Sequence, residues 1–521
     1  SGLTTLTLTY NDGAQITVTA PSTAGGNNFG NWLGCDSVSS RSCAVLLNTD
    51  RTVTANFVSS SSISVNVQPS TTFQTWESWR ATATGPYFPF QDGSARILSP
   101  SLLSQMLDDL AFDLGLNGVR LHQQHDQQIE TVNDDSDAFH IRWSSFDFSR
   151  QYTIGGNAGE LVDLREKVSQ VIQPLKQRVQ SRGVPFYVYV EPVYNISNWP
   201  AHWNTPQEYA EFAQAYVLWL RGQNQPSSGL SLTPDYWVIV NEPDGGGFSM
   251  TTIASLIPAV AARFQSMGLN IRIQTVETSK PTSATSLSTV LNAPGVSSVV
   301  GLISFHNYDY NTGQVPSFTL RNNLRSVAAQ LGKRTAMTEV CCKTGWDGSY
   351  GQALGWARDV YWSMTEANVS VWEPLGMAYT CASVGCSGRT QNPISIDLNQ
   401  FAYYKFANYY GLRQYSHYIR PNFVRVNATC TNCGSSSTLG QLVKPVIFRS
   451  PAGKYVAVVV NDWSTAQSIQ LTGLPGGTYD ITGVDSVHPR SPVTYPVQTI
   501  TAGQPLSLAF PARSIVTFAQ R

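Results

Sequence analysis

The spacing of hydrophobic residues changes character twice along the chain. Over residues 1–58 it alternates: "TLTLTY", "AQITVTA" and "RTVTANF" carry an apolar residue at every second position between Gly, Asn and Ser turns, which predicts a small all-β module. "SSSSIS" (59–64) reads as a linker, and 59–72 as that linker plus a strand, "SISVNVQ", expected to pair into a C-terminal β-sandwich. From 73 to 411 short apolar strands alternate with longer stretches of helical period, as in βα units. From 412 to 521 period two returns in "KPVIFRS", "YVAVVVND", "SIQLTGL", "TYDITGV" and "SIVTFAQ", the pattern of a β-sandwich.

The central segment carries eight expected strands, at 73–78, 117–122, 185–191, 236–242, 271–277, 300–306, 334–339 and 370–373. Helical patterns fall between most of them, near 100–114, 206–222, 252–267, 321–331 and 350–367. In "ELVDLREKVSQVIQPLKQRVQSRG" the residues Leu161, Leu164, Val168, Val171, Leu175 and Val179 share one helical face, Pro174 should kink it, and Gly183 should close it. Eight strands with intervening helices predict an α/β fold of the (β/α)8 TIM-barrel type. A doubly wound sheet is the competitor, but no Gly-rich phosphate fingerprint follows any strand.

In a barrel the C-terminal ends of the strands converge on one mouth, so residues there face a ligand. Five strands end at or just before an acid: Glu191, Glu242, Glu277, Glu339 and Glu373. Solvated loop carboxylates explain one or two of these, and five at strand ends poorly. Paired carboxylates across a mouth suit glycosidic cleavage, one protonating the leaving oxygen while the other attacks the anomeric carbon. Strands four and seven lie on opposite sides of the mouth, so Glu242 and Glu339 are the expected catalytic pair.

Composition narrows the ligand. Charged residues are 13 % and the formal net charge is −1, which does not favour nucleic acid or an anionic membrane as partner. Thirteen Trp and 23 Tyr suit a neutral carbohydrate whose C–H faces stack on rings, although core packing uses the same residues. No apolar run is long enough for a membrane span. The eight cysteines fall in close pairs (Cys35/Cys43, Cys341/Cys342, Cys381/Cys386, Cys430/Cys433), which points to an oxidised, secreted protein. Cys430-x-x-Cys433 has zinc-like spacing, but no second pair accompanies it, so no metal and no cofactor is expected. The opening "SGLTTL" has no charged region followed by an apolar core, so any signal peptide is expected to have been removed.

At Asn241-Glu242-Pro243 and Glu339 the chain resembles the retaining (β/α)8 glycoside hydrolases of clan A. "TFQTWESW" before the barrel, "FAYYKFANYYGLRQYSHYIRPNFVRV" (401–426) after it and β-segments on both flanks make it most similar to glycoside hydrolase family 30, over roughly 62–521. That resemblance implies Glu242 as acid/base and Glu339 as nucleophile. It implies Asn241 on the sugar 2-hydroxyl, Arg120 and Tyr308 beside the nucleophile, His306 on the same wall and Trp372 as a stacking floor. For Arg120, His306 and Trp372, plain ion pairing or core packing is the competing reading. Two departures stand out: "ESWRATATG" follows strand one where a Gly-rich turn is common, and "VEPVYNISNW" ends strand three. Glu191 is therefore a rival donor or a contact to a substrate hydroxyl, and Glu373 a second rival. Trp143, Trp199, Trp203 and Trp346 are candidate subsite platforms, and Arg80 and Lys343 candidate partners for an acidic sugar.

Residues 1–58 resemble a small β-repeat of exported bacterial proteins, with Trp32 in its core and a Cys35–Cys43 staple, and are a candidate contact to cell wall or glycan. Bridges between Cys341/Cys342 and Cys381/Cys386, or locally within Cys381/Cys386, would stiffen the mouth. The implied substrates are β-linked: xylan, β-1,6-glucan or β-1,6-galactan, or shorter glycosides for an exo-acting enzyme. A monomer is expected, and an inactive carbohydrate-binding barrel is the non-enzyme alternative.

Overall fold

A computed structural model describes residues 7–24, 27–58, 63–83, 98–123, 129–130, 132–133, 137–149, 152–153, 161–162, 164–310, 314–341, 349–381, 392–397, 400–434 and 439–521. The chain divides into two compact units: Gln74–Asn422, and Ser1–Phe73 together with Phe423–Arg521.

The first unit is built on eight parallel strands: β1 (Ser78–Thr82), β2 (Gly118–Gln123), β3 (Tyr187–Pro192), β4 (Tyr236–Val238), β5 (Arg272–Thr278), β6 (Val300–His306), β7 (Arg334–Glu339) and β8 (Val369–Trp372). They pair in that order, and β8 returns to β1 through Val371 opposite Ser78 and Trp372 opposite Trp79. This closure is a TIM-like barrel and excludes the open doubly wound sheet.

Seven of the strands lie where the apolar pattern put them, but the first does not. Residues 73–75 finish a long strand, Ile63–Thr75, of a different sheet, and β1 begins only at Ser78. Trp76 to Ala83 are all buried, so the alternation that marks a half-exposed strand disappears there.

Serine hydroxyls start five of the barrel's helices. Ser99, Ser249, Ser283, Ser317 and Ser349 accept from the backbone N–H groups of Leu102, Thr252, Ser286, Leu320 and Gln352, each satisfying a donor that the first helical turn leaves unpaired. The helical run from Leu164 to Gln180 passes through a π-helical stretch, Lys167–Ile172, directly before Pro174, whose ring removes one backbone donor. Gly183 follows at φ +70°, in the left-handed region that suits glycine. A last helix, Ala407–Ser416, crosses the 411/412 boundary drawn from the pattern, and this unit ends at Asn422.

Strand parity fills the barrel. Tyr189, Tyr236, Val238, Leu302, Ala336 and Val371 form one buried cluster inside it. Their neighbours face the helices: Trp237, for instance, packs on Phe212, Tyr216 and Phe264. Arg80 lies over the rings of Tyr187, Tyr189 and Tyr236 and donates to Glu77 at 2.5 Å. A Cβ on Gly118 would sit 2.8 Å from Arg80 Cγ, so glycine there lets the arginine lie across the barrel.

The second unit is all β. Its N-terminal part has two three-stranded sheets, Ala14–Thr19/Ser42–Leu47/Ser37–Ser39 and Thr23–Ala24/Asn27–Leu33/Thr54–Val58. Between them Trp32, Cys43, Val45 and Ala20 are buried, Trp32 Nε1 donates to the Arg41 carbonyl at 2.8 Å, and Cys35 is bridged to Cys43. The remainder is a nine-stranded mixed sheet in which Ile63–Thr75 runs between Val424–Thr431 and Gln467–Thr472, parallel to the latter. Cys430, near the end of the strand Val424–Thr431, is bridged to Cys433.

Candidate active site

Parity also aims the mouth. Counting by two from interior positions, Arg80 leads to Thr82, Gly118 to Arg120 and His122, Tyr189 to Glu191, Leu302 to Ser304 and His306, and Val371 to Glu373. Glu242 continues the inward series of Val238 beyond the end of β4, at φ +42° and with Pro243 opening a short helical turn. Two acids reach the interior against parity. β5 carries an extra residue between the Val276–Ser304 and Thr278–Phe305 pairs, and that residue is Glu277, at φ +56°. β7 carries one between the Phe305–Met337 and His306–Glu339 pairs, which turns Glu339 inward. Each bulge re-aims one carboxylate.

Two cations organise these five acids. Arg120, fully buried, donates to Thr82 Oγ1 at 2.6 Å, Glu191 Oε2 at 2.8 Å and Glu339 Oε2 at 2.5 Å, and its Nε lies 3.4 Å from Glu373 Oε1. His306, also fully buried, places Nδ1 2.8 Å from Glu242 Oε1 and 3.9 Å from Glu339 Oε1, and Nε2 3.4 Å from Glu277 Oε1. Tyr308 donates to Glu339 Oε1 at 2.7 Å. Glu373 accepts from Thr82 at 3.0 Å and from Tyr189 at 2.9 Å. One oxygen each of Glu242 and Glu339 and a ring nitrogen of His306 lie within 4.8 Å of one another.

The environment sorts the acids. Burial alone would raise Glu339, but the Arg120 and His306 charges and the Tyr308 hydroxyl hold it below the usual carboxylate range. Glu277 is likewise pulled against burial down to about 2, by His306, Ser304 and Thr338. Burial dominates at Glu191, which is pushed well up despite Arg120, and at Glu373, pushed up to about 7. His306 is raised well above the ordinary imidazole range, because the surrounding carboxylates outweigh its burial. The interior therefore sets two cations, Arg120 and His306, against Glu339 and Glu277, with burial pushing Glu191 toward its neutral form.

Solvent reaches only part of this cluster. Tyr308 is 38 % exposed and the Glu242 side chain 28 %. Arg120, Glu191 and His306 are fully buried beneath them: Arg120 lies beside Glu339 as the resemblance implied, His306 reaches Glu242, and Glu191 is bound to Arg120. Asn241 is half-buried, and its Oδ1 has no hydrogen-bond partner.

Trp372 is corrected more sharply. It lies between the inward Val371 and Glu373, so it points out toward the helix Tyr350–Thr365, donating to Asp359 at 2.9 Å and packing on Trp79 and Trp356. It is fully buried and offers no floor to a ligand. Trp199 and Trp203 are buried in an aromatic cluster with Tyr194 and Tyr209 and are not open platforms; Trp143 is half-buried. Arg80 lies nearer the other end of the barrel, bound to Glu77. Lys343, Trp346, Cys342, Cys386, the Cys381 side chain and much of the 123–158 rim lie outside the described residues.

The pattern had not marked Thr82, Tyr189 or Ser304, which hold Glu373 and Glu277. Their signal was present as inward parity at strand ends, but hydroxyl residues there carry no motif. Glu191, Glu277 and His306 also converge within 4.8 Å; this trio and the Glu242–His306–Glu339 trio are the groups, among the described residues, that could hold a metal. The surrounding carboxylates raise His306, which favours the protonated ring, a form with no lone pair for a metal.

No protein-family model and no curated protein sequence matches the chain. Solved structures do. The catalytic domain of a glycoside hydrolase family 30 xylanase C from Talaromyces cellulolyticus superposes with a TM-score of 0.64 at 20 % identity, over 88 % of this chain and 100 % of that one. An endo-β-1,6-glucanase gives 0.59 at 15 %, over 90 % and 96 %. A family 51 arabinofuranosidase from Xanthomonas axonopodis pv. citri gives 0.59 at 10 %, over 88 % and 100 %. The fold is thus one that these glycoside hydrolases share. At such identities it is the fold alone that is shared.

Proposed function

We propose that the protein is a retaining glycoside hydrolase acting on a β-linked polysaccharide. The observation that carries this is the approach of Glu242 and Glu339 to within 4.8 Å. Retaining enzymes hold their carboxyl groups about 5–5.5 Å apart, whereas inversion needs roughly 6.5–9.5 Å to admit a water between acid and sugar. In this reading Glu339, kept ionised by Arg120, attacks the anomeric carbon while Glu242 protonates the departing oxygen. Glu242 then takes a proton from water, and that water displaces Glu339 from the sugar. Tyr308 and Arg120 each fix one Glu339 oxygen, and Asn241 Oδ1 is an acceptor for the sugar 2-hydroxyl.

Xylan, β-1,6-glucan and β-1,6-galactan are the polymers to test, and solved neighbours include both a xylanase and a β-1,6-glucanase. The bridged Cys35–Cys43 and Cys430–Cys433 pairs support an exported protein. Among the described residues no helix is long and apolar enough to cross a membrane. The experiment is a panel of these polysaccharides with the wild type and Glu339→Gln. Release of reducing sugar from one polymer, lost in the variant while polymer binding persists, supports the reading. Binding without release by the wild type points to a carbohydrate-binding barrel instead.

A further inference from the structure

Glu277 is the one ionised carboxylate of the mouth that neither solvent nor Arg120 reaches directly. It is fully buried, Ser304 donates to its Oε2, and Gln274 Nε2 donates to the same oxygen at 3.2 Å. Oε1 is left facing His306 Nε2 at 3.4 Å, an ion-pair approach in which neither atom has a hydrogen-bond partner. The opposite nitrogen of that ring is the one 2.8 Å from Glu242. The two acids are joined a second time through the main chain, because the Glu242 N–H donates to the Glu277 carbonyl at 3.0 Å. Both stand at positive φ, a backbone conformation unfavourable to a non-glycine residue and kept only where the surroundings enforce it.

Resting on the glycosidase reading, we propose that Glu277 is a positioning residue for the proton donor. It anchors His306 from behind, so that the ring's Nδ1–H is directed at Glu242 Oε1 and the other Glu242 oxygen is left to face the leaving group. The groups facing His306 are Glu242, Glu277, Glu339, Glu191 and the edge of the Tyr308 ring, with His122 acting at longer range. Of the three carboxylates paired with the ring, Glu277 alone has no place in the proposed bond-making steps; Glu191, also near the ring, is bound to Arg120. With Glu277 made neutral, the imidazolium loses its buried counter-ion and the Glu242 carboxyl loses a charged hydrogen bond.

A residue that serves the donor matters in proportion to how much the leaving group needs a proton. The test compares Glu277→Gln with wild type on 2,4-dinitrophenyl and phenyl β-xylobiosides and β-gentiobiosides. The dinitrophenolate departs unaided, whereas the phenolate needs Glu242. The ratio of kcat/KM values, dinitrophenyl over phenyl, is expected to rise on the order of tenfold or more in the variant, within the range that general acid catalysis supplies. An equal fall on both substrates, or no change on either, overturns the proposal.

Ser304→Ala, which removes one donor to Glu277 and keeps the charge, is expected to move the ratio the same way by a smaller factor; an unchanged ratio there also counts against it. Nitrogen NMR of the free protein gives a readout independent of activity, with the His306 signal assigned from a His306→Asn variant. The wild-type ring should stay protonated to higher pH than in Glu277→Gln, and coincident titrations overturn the anchoring. A wild type that hydrolyses none of the four glycosides, with the NMR difference present, leaves Glu277 anchoring His306 and removes the xylan and β-1,6-glucan readings.

Discussion

Arg120 meets Glu339 at 2.5 Å with its guanidinium fully buried and the carboxylate side chain only 10 % exposed. One charge thereby does two tasks: it keeps Glu339 ionised and it neutralises a cluster that would otherwise hold buried like charges. Removing one partner of such a buried pair is costly, because the remaining charge stays unsolvated.

Arg120→Lys should separate those tasks. Lysine keeps a positive charge but not the planar fork that reaches Thr82, Glu191 and Glu339 together. The kcat/KM is expected to fall on the order of a hundredfold, in line with lost positioning of a reacting group. The acidic limb of its pH profile should move to higher pH, because Arg120 is the main influence holding Glu339 below the usual carboxylate range. A pH–rate profile of wild type and variant checks both.

Glu373 makes stability depend on pH. Its folded value of about 7 lies above the ordinary 4.5, so the folded state binds the proton more tightly than the unfolded chain. The contribution is fully present below the ordinary value and is lost as pH rises through about 7. Glu373→Gln fixes the neutral form. Its stability relative to wild type should therefore improve by up to roughly 3 kcal/mol between about pH 5 and about pH 8, as followed by denaturant melts at both.

Trp372 should affect stability and leave recognition alone. Phenylalanine there keeps most of the packing on Trp79 and Trp356 but leaves Asp359 short of a buried donor. Trp372→Phe is expected to cost about 1–3 kcal/mol of stability. The KM for the cleaved polysaccharide should not change, and melts with kinetics on the same preparation test the pair of expectations.

Much of the barrel was legible because parallel strands buried on both faces show as short apolar runs, with stretches of helical period between them. The first strand was misplaced because "WESWRAT" is buried throughout and shows no alternation, while the preceding Ile63–Thr75 does. Period two also explains why Trp372 was misassigned: it stands next to the inward Glu373, and neighbours on a strand face opposite ways. Glu277 and Glu339 are the converse case. Each faces inward only because its strand carries an extra residue, and a bulge leaves no mark in an apolar pattern. Burial was the other hidden quantity, since Arg120, His306 and Glu191 belong to the mouth yet lie beneath the layer that solvent reaches.

The most direct measurement of the central claim is proton NMR of the first product formed from the polysaccharide that the panel identifies, recorded before mutarotation. Two acids close enough for one to bond the sugar should release the β-anomer first, with α appearing only as the sugar equilibrates. An α-anomer as the initial product would mean that water, and not Glu339, attacks the anomeric carbon, and would contradict the double displacement assigned to Glu242 and Glu339.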